Sequence, residues 1–128
     1  MSEVIELRET FAATTQEIYS AWLSSQLHTR MTGGEANCSD KVGASFTAWD
    51  DYISGKNLEL FENKKIVQSW RTSEFSQDDE DSILTIQLNE VKEGTELILT
   101  HKNIPKGQTQ YKQGWIDHYF VPMKEFFN

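Results

Sequence analysis

Between residues 42 and 101 the apolar side chains recur at every second position, in runs too closely spaced for parallel neighbours. Five strands are predicted, over residues 42–49, 58–61, 65–71, 82–91 and 95–101. Turn chemistry stands between them: Asp50-Asp51, Ser54-Gly55, Glu62-Asn63-Lys64-Lys65 and Lys92-Glu93-Gly94. Parallel strands would need crossovers of about a dozen residues or more, so these segments must run as an antiparallel meander. The run S-Q-D-D-E-D at 76–81 reads as a solvated turn, because it lacks the spacing and glycine of an EF-hand calcium loop.

The chain on either side of the meander obeys other rules. Residues 4–11 alternate with mixed polarity, as suits a strand near a sheet edge. Thr14 and Glu17 then stand at capping-box spacing, and Ile18, Trp22 and Leu23 follow at helical intervals beside Tyr19. A second helical turn at 25–30 has Leu27 and Met31 to bury, and Gly33-Gly34 punctuates it before a polar loop at 35–41. After Pro105 and Gly107 the period becomes 3.6: Trp115, Tyr119 and Met123 recur at i, i+4 and i+8, broadened by Ile116, Phe120 and Phe127. Pro122 predicts a kink at 116–118. A helix this aromatic needs a broad apolar surface, and the sheet is the one on offer. The predicted fold is α+β, a single domain over residues 1–128: a curved antiparallel sheet of about six strands around a long C-terminal helix, with two short helices after the first strand.

Composition limits the function. At 128 residues with 38% hydrophobic side chains, the chain can bury a core without staples. Twenty acidic against twelve basic residues give a net charge of −8, which repels phosphate backbones and anionic membranes; neither nucleic acid nor membrane is an expected partner. The opening M-S-E-V-I-E-L-R-E-T does not read as a signal peptide. A single cysteine, Cys38, excludes an internal disulfide and a cysteine-based zinc site, and the expected compartment is the reducing cytoplasm.

Catalytic signatures are missing. His28, His101 and His118 fall in separate elements with no H-x-x-x-H spacing, so no metal and no cofactor is expected. No nucleophile elbow or phosphate-cradling glycine loop occurs, and Asp50 and Asp51, as strand-like neighbours, point apart. Cys38 lies near Glu35 and Asp40, whose charge raises a thiol pKa. Counting by twos puts His101 on one face with Leu97 and Leu99, either as a hydrogen-bonded core histidine or as a polar anchor for a ligand. Gly114 costs its helix ~1 kcal/mol relative to alanine, which suggests that another element approaches it closely.

Several stretches carry a resemblance: I-E-L-R-E-T-F at 5–11 before a helix holding E-I-Y at 17–19, V-G-A-S-F at 42–46 and I-S-G at 53–55. K-I-V-Q-S-W-R at 65–71, T-E-L at 95–97 and Q-G-W-I-D-H-Y-F at 113–120 continue it in the same order. With these, W-R and G-W being the most specific, the chain resembles the helix-grip (START-like, birch-pollen-allergen-like) superfamily. Within it, the chain is similar to the C-terminal domain of the activator of the ninety-kilodalton heat-shock protein's ATPase. The resemblance implies a non-enzymatic, co-chaperone-like role in the stress response, with that chaperone as partner. The eukaryotic activator carries a separate N-terminal domain that supplies much of its chaperone contact; the match here is to the C-terminal type of domain.

The superfamily's habit implies a second role, binding an apolar or aromatic small molecule between C-terminal helix and sheet. The candidate lining is Phe46, Leu58, Leu60, Trp70, Leu97, Leu99, His101, Trp115, Tyr119 and Met123, residues that could equally fill the space. An enzyme built in that cavity would have only His101 and Tyr119 to work with.

Overall fold

The first helix starts where the capping pair stands. Thr14 Oγ1 accepts from the Glu17 N–H at 3.0 Å, and the Glu17 carboxylate accepts from the Thr14 N–H at 2.8 Å. This box follows β1 (Glu3–Phe11) and opens α1 (Thr15–Leu23). Ser24 caps α2 (Ser25–Thr32), which Gly33 ends in the left-handed region at φ 90°. The structure, a computed structural model, describes residues 3–127.

Five further strands follow: β2 (Ser45–Ala48), β3 (Ile53–Phe61), β4 (Lys65–Thr72), β5 (Ser82–Val91) and β6 (Gly94–Ile104). They form one curved antiparallel sheet in the order β1-β6-β5-β4-β3-β2, so the meander is sequential and β1 closes on β6. Leu84, Ile86, Leu97 and Leu99 are buried on its inner face. The C-terminal helix contributes Trp115, Tyr119 and Met123 to the same core.

The sheet departs from the expected pattern at β2 and β3. β2 begins at Ser45 rather than residue 42, and Ser54-Gly55 is no turn but part of β3, where Gly55 pairs with Phe46 on one side and Trp70 on the other. A Cβ on Gly55 would collide with the Ser69 carbonyl, so the glycine serves close strand packing. An irregularity between Asn57 and Glu59 then shifts the register, and Leu58 is left 41% exposed. Leu58 is therefore not a cavity residue. The turn before β3 is made by Trp49, Asp50 and Asp51, all with positive φ (51°, 58° and 73°).

The C-terminal helix runs as α3 (Tyr111–Trp115), a π-helical turn (Ile116–Phe120) and α4 (Val121–Phe126). Pro122 has no N–H, and in a regular α-helix its ring would meet the carbonyl four residues back. The widened turn directly before it, where the Val121 N–H reaches the Ile116 carbonyl, accommodates the proline with a local bulge.

Candidate functional site: an aromatic cleft beside the C-terminal helix

Trp70 on β4 and Trp115 on the C-terminal helix meet at a tilt with ring centroids 5.4 Å apart, and Tyr119 continues the row one turn on at 4.9 Å. Tyr111 sets its ring edge against Trp70 at 5.2 Å, and His118 meets Trp49 at 5.3 Å. These rings, with Tyr52, Ile53 and Gly114, surround a cleft of about 240 Å³. The positive-φ turn 49–51 brings Trp49 over Gly34, where a Cβ would collide with the indole. Two groups stiffen the rim: the Tyr52 hydroxyl donates to Glu74, and the Tyr111 hydroxyl donates to Gln108 at 2.6 Å and accepts from Thr72 at 2.7 Å.

The polar groups behind the cleft are already satisfied. Trp115 Nε1 donates to His101 Nδ1 at 3.0 Å. Because an indole can only donate, the proton of the neutral imidazole sits on Nε2, which donates to Ser82 Oγ at 2.7 Å. The Ser82 hydroxyl passes its own hydrogen to the Trp70 carbonyl at 2.7 Å. Burial pushes the His101 pKa down to about 3. His101 is thus a neutral core histidine with both nitrogens engaged.

A second chain of bonds runs beside it. His28 Nδ1 donates to the Trp22 carbonyl at 2.8 Å, and its Nε2 accepts from the Tyr119 hydroxyl at 2.8 Å. Burial lowers the His28 pKa and raises that of Tyr119. Trp22 Nε1 donates to Gln68, which donates to Asn57, which in turn holds the 39–41 loop through the Ser39 and Lys41 carbonyls. Neither chain offers a free lone pair or proton to the cleft. The cleft is therefore a mainly apolar aromatic surface, whose remaining polar groups are the His118 imidazole and the Trp49 Nε1–H, the latter buried without a hydrogen-bond partner among the described residues.

Of the ten residues expected to line a cavity, the structure brings Trp70, Trp115 and Tyr119 to the cleft. Phe46, Leu97, Leu99 and Met123 are buried in the core, His101 lies behind Trp115, and Leu60 packs half-buried at the core margin. Trp49, Tyr52, Ile53, Tyr111 and His118 enter from outside that set. Tyr111 and His118 stand four before and three after Trp115, a spacing that could have found them. Trp49 and Tyr52 flank a turn whose left-handed conformation no strand pattern reveals. Gly114 meets nothing within 4 Å of an added Cβ, so the close approach expected there does not occur; the glycine keeps the cleft mouth open. Burial raises the Cys38 pKa to about 11.

Among the described residues no cluster of His, Cys, Asp and Glu could hold a metal ion, and no helix is long and apolar enough to cross a membrane.

Comparison with known proteins assigns this architecture. Residues 12–128 match the family model described as activator of Hsp90 ATPase homolog 1-like protein. The chain belongs to this family. Activator of 90 kDa heat shock protein ATPase homolog 1 from Homo sapiens is 32% identical over 126 residues, 96% of this chain and 36% of the relative. The Mus musculus homolog 2 is 29% identical over 123 residues. The chain therefore spans about a third of the length of the curated relatives it matches (36%). Among solved structures, an HSP90 activator from Plasmodium falciparum superposes with a TM-score of 0.84 at 26% identity, covering 98% of this chain and 95% of that one. This Hsp90-activator-like domain thus carries the family's sheet and C-terminal helix.

Proposed function

We propose that this domain is a co-chaperone-like interaction module that binds a ninety-kilodalton heat-shock chaperone and raises its ATP turnover. The observation that carries the reading is the 32% identity with the human activator across 96% of this chain. The satisfied hydrogen bonds of His101 and His28 support a binding role over a catalytic one, since both imidazoles are committed to the core. Residues 1–128 act as a single domain in this reading, working in the cytoplasm within the stress response. A net charge of −8 favours a basic face on the chaperone. Calorimetric titration of the purified chaperone with this domain, at low and at high salt, tests the contact. Binding should weaken as salt rises, and no heat of binding at either salt would reject the reading.

The aromatic cleft favours a second reading, binding of an apolar or aromatic small molecule. An engineered apolar cavity of ~150 Å³ holds benzene. The cleft, at about 240 Å³, is therefore scaled to one bicyclic aromatic ring system.

A further inference from the structure

β1 is one edge of the sheet, and its backbone shows which groups face away from β6. The Thr10 N–H donates to the Glu9 carboxylate at 2.9 Å, and the Thr10 carbonyl accepts from Lys124 Nζ at 2.8 Å. Neither serves β6. By alternation the N–H and C=O of Arg8 and Glu6 also face outward, whereas Leu7 and Glu9 bond to β6 opposite Leu99 and Leu97. Lys124 and Glu9 close the edge at Thr10, so the stretch 5–9 presents free outward groups. No other strand pairs with this side among the described residues. On the inner face, Ile5 and Leu7 are only half-buried, although their partners His101 and Leu99 are fully buried.

We infer that this edge is an interface for a second copy of the chain, with the two β1 strands pairing antiparallel about a twofold axis at Leu7.

Charge selects the register. Only residues with outward-facing backbone can exchange hydrogen bonds across the new seam, so allowed registers step by two residues. One such register opposes Glu6 to Glu6, and another opposes Arg8 to Arg8; both set like charges face to face. The register between them sets Glu6 opposite Arg8 of the second copy, and Arg8 opposite its Glu6. Leu7 then faces Leu7 on the inner side, where both are half-buried. Charges on an edge strand ordinarily deter pairing. Here opposite signs stand symmetrically about Leu7, and that symmetry turns the deterrent into complementarity. Within one chain Arg8 and Glu6 pair at 3.2 Å with side chains 58% and 56% exposed, so both can exchange partners. Two copies of net charge −8 repel. At about 0.15 M salt the Debye length is about 8 Å, which screens that long-range repulsion but not the direct pairs.

Two experiments on the full chain test the interface. Opposed residues of a non-hydrogen-bonded pair have Cα atoms about 4.5 Å apart, within disulfide reach. Leu7→Cys in a Cys38→Ser background should therefore oxidise to a covalent dimer, and Ile5→Cys in the same background should not. In sedimentation equilibrium at about 0.15 M salt, the wild-type mass should climb with concentration from 14.8 kDa towards twice that value. Arg8→Glu should weaken association at least tenfold, and the Glu6→Arg/Arg8→Glu exchange should restore it, with melting curves confirming that each variant is folded. A constant monomer mass up to millimolar concentration would overturn the inference, as would a dimer indifferent to Arg8→Glu or a charge exchange that fails to restore pairing. An edge that captured an extended segment of another protein while the chain stayed monomeric would overturn it equally.

Discussion

Trp115 Nε1 lies 3.0 Å from His101 Nδ1, and this one bond joins the C-terminal helix to the inner face of β6. It also fixes the imidazole tautomer, and with it the direction of the bonds onward through Ser82 to the Trp70 carbonyl. The same tryptophan forms a wall of the cleft. Packing, polar satisfaction and the candidate site therefore share a residue.

Trp115→Phe keeps an aromatic ring but removes the donor, leaving a buried imidazole nitrogen without a partner. It should cost about 1–3 kcal/mol, the penalty of one unsatisfied buried group. Trp115→Ala should cost about 3–5 kcal/mol, because a large cavity opens as well. Urea midpoints measure both. Equal losses for the two variants would mean that the hydrogen bond carries most of the effect and the ring's packing little.

The two buried histidines make stability depend on pH in a definite direction. Their pKa values are lowered in the folded state, His101 to about 3, while an unfolded histidine titrates near ~6.5. Below about pH 6.5 the unfolded chain binds more protons, so stability is fully present above that value and falls as pH drops towards 3. Inside the window each histidine contributes a slope of up to about 1.4 kcal/mol per pH unit. Urea midpoints between about pH 6.5 and 5, where most carboxylates remain ionised, should fall for the wild type and fall less steeply for His101→Gln. Parallel curves would show that His101 is not held neutral.

Gly114→Ala adds a methyl group in open space on a helix. It should stabilise the domain by about 0.4–1 kcal/mol, through helix propensity and a less flexible unfolded chain. A lower thermal midpoint would mean that the helix needs the glycine's freedom.

The order of elements was legible because period and turn length are local properties of the sequence. The switch from period two to 3.6 after Pro105 located the C-terminal helix, and the Thr14–Glu17 pair located α1. What escaped depends on contacts between distant residues. Gly55 looks like a turn glycine until β3 lies against β4, where only a missing side chain fits beside the Ser69 carbonyl. Plain alternation puts Leu58 inside with Leu60, and the Asn57/Glu59 irregularity breaks that parity. Parity places His101 on the inner face, but its role depends on Trp115 and Ser82, neither adjacent to it in sequence. The cleft was half visible: its helix side follows the i, i+4 rule, and its Trp49 side depends on three successive left-handed residues.

If the cleft accepts a ligand, naphthalene and 1-naphthol should raise the melting temperature and quench tryptophan fluorescence. Binding to the native state alone gives about 2.7 kcal/mol of stabilisation at a hundredfold excess over Kd. Gly114→Leu, which fills the mouth, should abolish both effects. Equal shifts in wild type and variant would place the binding elsewhere.

Phosphate release by a ninety-kilodalton heat-shock chaperone, followed with and without this domain and with a heat-unfolded sample as control, tests the proposed function most directly. Steady-state turnover should rise, saturate with domain concentration and shrink back as salt increases. The rise should be modest, since one contact acts without the avidity of two linked ones. Turnover unchanged at low salt and high micromolar domain would contradict it.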